Sequence, residues 1–185
     1  MIIEYTDKWF LDVAKLIASF RVELNKFKMI DTNPNLEDAK EELESFVNRK
    51  YPIYIDIENE EAVGYIVLRE DGVYWVEHIY VKPEYRRKKI ASLLYEKAES
   101  IIGEKGEDTL FNFVHPNNDA IISFLRNKGY TVLNLIEVRK PYKGEKTNTK
   151  INVGNNTFDY WWSFIFWIFF LFLLDFIIYN YVRMK

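Results

Sequence analysis

The chain has no cysteine and only two histidines, His78 and His115. The first absence excludes disulfides and thiolate metal sites, and the second points away from a catalytic metal. A strong charge of one sign is also missing. Net charge is −3, so the chain as a whole is not a nucleic-acid-binding polycation. The opening stretch, "MIIEYTDKWF", has neither a basic start nor a long apolar run, and no signal peptide is expected there. No internal repeat is visible. What remains is a chain of 185 residues, enough for one ordinary domain with a real core.

Element signals run through residues 1–138. A strand is expected over 1–6. Residues 8–27 place Trp9, Val13, Leu16, Ile17 and Phe20 on one helical face. A second helix follows Pro34, with the apolar stripe Leu36, Ala39, Leu43, Phe46 and Val47 and acids in its first turns. Three strand-like runs come next, 51–57, 62–69 and 73–81. Asn59-Glu60 and Glu70-Asp71-Gly72 separate them as hairpin connections. A helix over about 86–102, a strand over 109–114, a helix over 117–128 capped by Gly129 and a last strand over 130–138 complete the pattern.

The C-terminal part differs. Residues 141–159 are polar and rich in Gly, Asn and Lys, a flexible linker by composition. In 160–182, the run from Trp161 to Ile178 is interrupted only by Ser163 and Asp175. As a helix those 18 residues would be roughly 27 Å long, close to a bilayer's hydrocarbon thickness. Tyr160, Trp161 and Trp162 at one end and Tyr179 and Tyr181 at the other match interfacial aromatic belts. A single transmembrane helix is therefore expected at 160–182, with a short tail, 183–185, in the manner of a tail anchor. The alternative is a helix docked on the domain or on a partner chain. Lys140, Lys143, Lys146 and Lys150 precede the span, against Arg183 and Lys185 after it. That excess puts the domain on the cytoplasmic side of the cell membrane.

One stretch carries chemistry: "YVKPEYRRKKIASLL", residues 80–94. Lys82 to Lys89 holds five cations against one acid, Glu84. The cations sit where a strand feeds a helix. Unpaired backbone N–H groups and the positive end of the helix dipole make such a junction an anion site, and Arg and Lys deepen it. A phosphate or pyrophosphate is the expected guest, against a plain solvated basic turn. A nucleic-acid module would need an aromatic-plus-cation strip extending from the turn, and none is present.

These residues resemble the GNAT acetyltransferase superfamily. Its signature, Arg/Gln-x-x-Gly-x-Gly/Ala after Val-x-Pro-Glu-Tyr, is matched by Val81, Pro83, Glu84, Tyr85, Arg86 and Ala91. A second signature, an Asn eleven residues before a Gly-aromatic pair, is matched by Asn118 and Gly129-Tyr130. The resemblance implies an α+β fold over 1–140, with a mixed, mostly antiparallel central sheet flanked by helices. It implies acetyl-CoA as co-substrate, held at Ile79, Tyr80, Val81, Arg86, Arg87, Lys88, Lys89, Ile90, Ala91 and Asn118. An oxyanion-stabilising backbone N–H is expected from Ile79–Val81. An amine acceptor (a protein N-terminus, a lysine or a small amine) would attack directly. No metal and no nucleic acid is implied, and a homodimer stays open.

The sequence also departs from that family. Lys89 replaces the middle glycine, and the turn is expected to form with Lys89 in helical φ/ψ. The family's general-acid tyrosine falls on Leu125, and its fifth-strand carboxylate or histidine falls on Phe113. As general base, Glu77 is the first candidate, expected on one strand face with Trp75 and Ile79. His115 is the second, and a water chain the third. His78 is expected on the other face, packed or solvated. A catalytically degenerate CoA- or partner-binding module of a membrane complex is the alternative to an enzyme.

Overall fold

The computed structural model describes residues 1–144 and 147–160. The chain divides into two compact units, Met1–His115 and Pro116–Lys185.

In the first unit, alternating and near-continuous apolar runs pair into one five-stranded sheet of order β1-β2-β3-β4-β5. The strands are β1 Ile2–Glu4, β2 Ile53–Glu58, β3 Glu61–Asp71, β4 Val73–Val81 and β5 Phe111–Asn112. All pairings are antiparallel except β4–β5. Both hairpins form where expected. The β2–β3 turn uses Asn59 and Glu60, both with positive φ, the mirror-image turn that suits the strand twist. Gly72, at φ 68°, makes the β3–β4 turn.

Two helices cover one face of the sheet. They are α1 Phe10–Phe27, entered through a 3-10 turn at Asp7–Trp9, and α2 Leu36–Asn48. Asn35 caps α2 by accepting from the N–H of Glu37 (3.1 Å) and Asp38 (3.3 Å). Val13, Leu16, Ile17, Leu43 and Phe46 are buried against Ile55, Tyr65, Val67 and Tyr80. The expected stripes are therefore the core stripes, except for Val47, which is exposed, and each fully buried aliphatic side chain contributes roughly 1.5–3 kcal/mol of transfer free energy. The opposite face is covered by α3, Ile90–Glu104, which buries Ile90, Leu94, Tyr95, Ala98 and Ile102.

The fifth strand is shorter than expected, two residues instead of 109–114. A strand exists only where a ladder partner lies alongside it, and β4 runs beside β5 only at Trp75↔Phe111 and Val76↔Asn112.

The second unit holds α4, Asp119–Asn127, and a hairpin of β6 Thr149–Val153 and β7 Asn156–Tyr160. The helix ends as expected. Gly129, at φ 92°, donates to the Arg126 carbonyl, and Tyr130 donates to that of Leu125, which together satisfy the last turn. Two expectations fail here. Residues 130–138 form no strand, and Val132, Leu133, Leu135 and Val138 are exposed, because apolar β-branched composition does not make a strand without a paired neighbour. Conversely 149–159, read as flexible linker, and Tyr160, read as the first residue of the transmembrane span, form a hairpin. Alternation of Thr149, Ile151 and Val153 around the Gly154 turn outweighs polar composition. Among the described residues no helix is long and apolar enough to cross a membrane. Tyr160 closes β7, and the apolar run from 161 onward lies outside the described residues.

Candidate active site

The strand that feeds the basic turn is bent. Val67 pairs with His78 but Leu68 pairs with Val76, so Glu77 is an extra residue on β4, a β-bulge. This overturns the expectation that Trp75, Glu77 and Ile79 share a face. Ile79 pairs with Ile66, and Val81 with Gly64 beneath Ile90 of α3, so Ile79 and Val81 turn to the α3 side. Trp75 and Glu77 turn the other way. Both touch Arg69, whose Nε donates to Glu77 Oε2 (2.9 Å) and whose guanidinium lies 5.4 Å from the Trp75 ring centroid. Glu77 and His78 therefore both face the α1–α2 side.

Past Val76 the edge of β4 has no β5 partner. Lys82 N–H donates to the Val63 carbonyl (2.9 Å), so by alternation the amides of Tyr80 and His78 also face β3. The amides of Ile79 and Val81 point away from β3, into the gap. This narrows the expected donors to Ile79 and Val81 and removes the Tyr80 amide. The Tyr80 side chain packs against Phe20 of α1.

The turn itself is a 3-10 turn, Pro83–Tyr85, then four irregular residues, then α3 from Ile90. The helix starts later than expected, and Lys89 is its N-cap in the left-handed region, φ 66° and ψ 5°. The expectation of helical φ/ψ at Lys89 is thus wrong. The glycine of the signature exists for this conformation, and here a lysine adopts it. Arg87, at φ 63°, does the same. For a non-glycine residue this costs roughly 1–2 kcal/mol. Lys89→Gly is therefore expected to raise unfolding stability by about 0.5–1 kcal/mol, read as a higher urea midpoint at unchanged slope.

The cations of the turn divide. Arg86 donates from Nε to the Val81 carbonyl (2.9 Å) and holds Glu23 of α1 through both carboxylate oxygens (2.6 and 2.8 Å). Lys82 pairs with Glu61, and Lys88 lies over the Tyr85 ring. Among the described residues Arg87 and Lys89 have no anionic partner and both are exposed. Of the opening turn of α3, Leu93 is the first amide to bond back, to the Lys89 carbonyl (3.0 Å). The amides of Ile90 and Ala91 are ones a helix start offers to an anion. Gly64, unmarked in the sequence reading, makes room for this junction. A Cβ there would sit 3.1 Å from the Tyr80 carbonyl oxygen and 3.2 Å from Ile90 Cγ2. A glycine inside an apolar strand was the available signal.

The candidate bases separate. Glu77 Oε2 is oriented by Arg69, while Oε1 has no protein hydrogen bond among the described residues. His115 stacks on Phe27 at the end of α1 (5.9 Å between centroids), and burial, helped by Lys28, lowers its pKa. Asn118 lies in the second unit, where its side chain accepts from the Ile121 amide (3.2 Å) as the cap of α4. Leu125 is buried in the same helix.

His78 is buried, 3% exposed, in a polar chain. Nδ1 lies 3.0 Å from the Tyr65 hydroxyl and Nε2 3.3 Å from Glu42 Oε1. Arg21 of α1 donates from Nε to Glu42 Oε2 (2.8 Å). Desolvation first, and the Arg21 charge second, push the His78 pKa down to about 3, so the ring is neutral. Nε2–H then faces the carboxylate and Nδ1 accepts from Tyr65, whose own pKa burial raises.

Among the described residues, the groups present fit the phosphates and acyl arm of acetyl-CoA: the amides of Ile90 and Ala91, the cations of Arg87 and Lys89, and a gap beside β4. Among the described residues no cluster of His, Asp and Glu could hold a metal ion.

Comparison with known proteins agrees with this geometry. The acetyltransferase (GNAT) family model matches residues 18–130. No curated protein matches the chain. Among solved structures, the PaiA N-acetyltransferase of Thermoplasma acidophilum, determined with coenzyme A, superposes with a TM-score of 0.59 at 21% identity, covering 69% of this chain and 87% of that one. An aminoglycoside 6'-N-acetyltransferase of Acinetobacter haemolyticus gives 0.55 at 17% identity, covering 80% and 99%. A ribosomal-protein-alanine N-acetyltransferase of Brucella melitensis biovar Abortus 2308 gives 0.58 at 15% identity, covering 77% and 99%. At these identities the superpositions show the fold, while the family model spans more than half of the sequence. The family model is thus what places the sequence, and the chain belongs to the GNAT acetyltransferase family.

Proposed function

We propose that the chain is an N-acetyltransferase that moves an acetyl group from acetyl-CoA to a primary amine by direct attack. The carrying observation is the divergence of β4 from β5 after Val76, directly upstream of the basic helix start. The PaiA relative was solved with coenzyme A, which supports the same ligand here.

Bound acetyl-CoA supplies an activated acyl carbon. The chain does the rest. The opening amides of α3 with Arg87 and Lys89 hold the phosphates. The amides of Ile79 and Val81 face the gap and offer donors to a carbonyl oxygen that gains negative charge. Glu77 Oε1 takes a proton from the incoming ammonium, directly or through one water. The nitrogen of the neutral amine bonds to the acyl carbon, the carbon–sulfur bond breaks, the thiolate leaves with the electron pair, and the proton shed by the new amide nitrogen ends on that thiolate as the free CoA thiol. Arg86 acts differently from the sequence expectation: its contacts to Glu23 and Val81 make it a brace between α1 and the turn.

The test is calorimetric titration of the full chain with acetyl-CoA. Arg87→Glu together with Lys89→Glu is expected to weaken binding at least tenfold, about 1.4 kcal/mol. Loss of the salt dependence of affinity should accompany it. Equal affinity in the double variant sinks the phosphate cradle.

Membrane attachment belongs to the same proposal. Residues 161–182, directly after the β7 residue Tyr160, would cross the cell membrane once, with the catalytic domain in the cytoplasm, where acetyl-CoA is made. Support comes from apolar length, aromatic ends and the lysines ahead of the run. Full-length protein is expected in the membrane fraction after alkaline washing. Recovery in the soluble fraction without detergent refutes the span.

A further inference from the structure

We propose that His78 is a positioning residue for the transfer step: its buried ring anchors the β4 bulge and so sets where the Glu77 carboxylate stands. This rests on the acetyl-transfer reading above, with Glu77 as its base.

The register shows what must be held. Val67 lies in the core beneath α1 and α2 and pairs with His78, so His78 turns to that side. Leu68 pairs with Val76. Leu68 shares a face with Ile66, whose partner Ile79 turns to α3, so Val76 turns there too. Glu77 is the residue left over between two neighbours fixed on opposite faces. Its direction depends on how firmly they are fixed, since a slip of one residue carries a side chain to the other face.

His78 is fixed by directional bonds at both ring nitrogens. Nδ1 accepts from the Tyr65 hydroxyl (3.0 Å), and Nε2 donates to Glu42 Oε1 (3.3 Å). Tyr65 stands opposite Tyr80 in the β3–β4 ladder, so its bond to His78 is a diagonal cross-strand contact that ties His78 to this register. Phe20 of α1 and Phe46 of α2 pack on the ring, with centroids 4.5 and 5.0 Å away. Arg21 donates to Glu42 and carries the chain of bonds into α1. A ring nitrogen left unpaired at this depth would cost its full desolvation penalty, so the ring has one place to sit.

The base is then held at two points. Arg69 holds its carboxylate from β3 (2.9 Å). His78 holds its backbone, one peptide bond away. The ring itself is buried and acts only through that backbone. A carboxylate displaced by about 1 Å from its proton loses on the order of 10²-fold in rate, so loosening the anchor should be felt in turnover.

The experiment uses the full-length chain in detergent. Tyr65→Phe removes one partner of the ring, and Glu42→Ala removes the other. Release of free CoA thiol is followed with acetyl-CoA and whichever of n-butylamine, spermidine and trialanine the parent uses fastest. Each variant is expected to lower kcat about tenfold, with acetyl-CoA affinity within about twofold of the parent. In a Glu77→Gln background the same substitutions are expected to cost less than about twofold, because there is no base left to misplace. Equal losses in both backgrounds overturn this inference alone. A Glu77→Gln variant as fast as the parent overturns the base assignment, and this inference with it. Hydrogen exchange needs no acceptor. Tyr65→Phe is expected to speed amide exchange over residues 76–81 about tenfold and to leave α3 unchanged. Unchanged exchange over 76–81, or an equal rise in α3, is the result of plain structure or plain destabilisation and overturns the anchor.

Discussion

Glu77→Gln is expected to lower turnover at neutral pH by about 10²–10⁴-fold, with acetyl-CoA affinity within about twofold of the parent. The variant keeps the shape and the Oε1 position but cannot take a proton. Its expected effect on cofactor binding is small because the groups proposed to hold the phosphates and the acyl arm are others, the α3 start and the β4 edge. The bulge makes the assignment specific. Without it Glu77 would alternate with His78 and face α3. With it the carboxylate lies on the α1–α2 side, at the mouth of the gap, with one oxygen held by Arg69 and the other open. Single-turnover rates across amine acceptors measure the effect. A loss below about threefold with the best acceptor would make Glu77 a strand residue paired to Arg69 and nothing more, and would leave a water chain as the route for the proton.

Acid is expected to destabilise the fold steeply through His78. An unfolded histidine titrates near 6.5, whereas the buried ring titrates at about 3. Between those values the unfolded chain binds a proton that the folded chain refuses. Stability therefore falls as pH drops, by about 1.4 kcal/mol per unit through this window, and the group contributes no pH dependence above about 7. His78→Gln removes the titration. It also disturbs the bonds to Tyr65 and Glu42, at about 1–3 kcal/mol at neutral pH. Urea unfolding followed by tryptophan fluorescence from pH 7 to 4 separates the two effects: the variant starts lower but loses less. Parallel slopes for parent and variant would mean that the ring takes up a proton while folded.

Much of this protein was readable along the chain. Patterns local in sequence made the helices and the hairpins: the stripe Val13, Leu16 and Ile17, the Asn35 cap, the paired runs around Asn59-Glu60, the Gly129 stop. The basic junction was legible for the same reason, since a strand, four cations and a helix are consecutive. Long-range pairing was not. Whether 109–114 makes six strand residues or two depends on where β4 bends, and the bend depends on Val67 and Leu68 choosing partners two residues apart. That choice also decided which face carries Glu77. The cations looked equivalent in the sequence, yet Glu23 sits 63 residues away and claims Arg86, which leaves Arg87 and Lys89 for an anion. His78 showed no sign of its partners, because Tyr65, Glu42 and Arg21 come from three other elements. Local propensity and period are properties of neighbours in sequence, so they are written there. Register, bulges and ion-pair choice are settled by competition among distant groups for the same space and the same hydrogen bonds, and only the folded chain decides them.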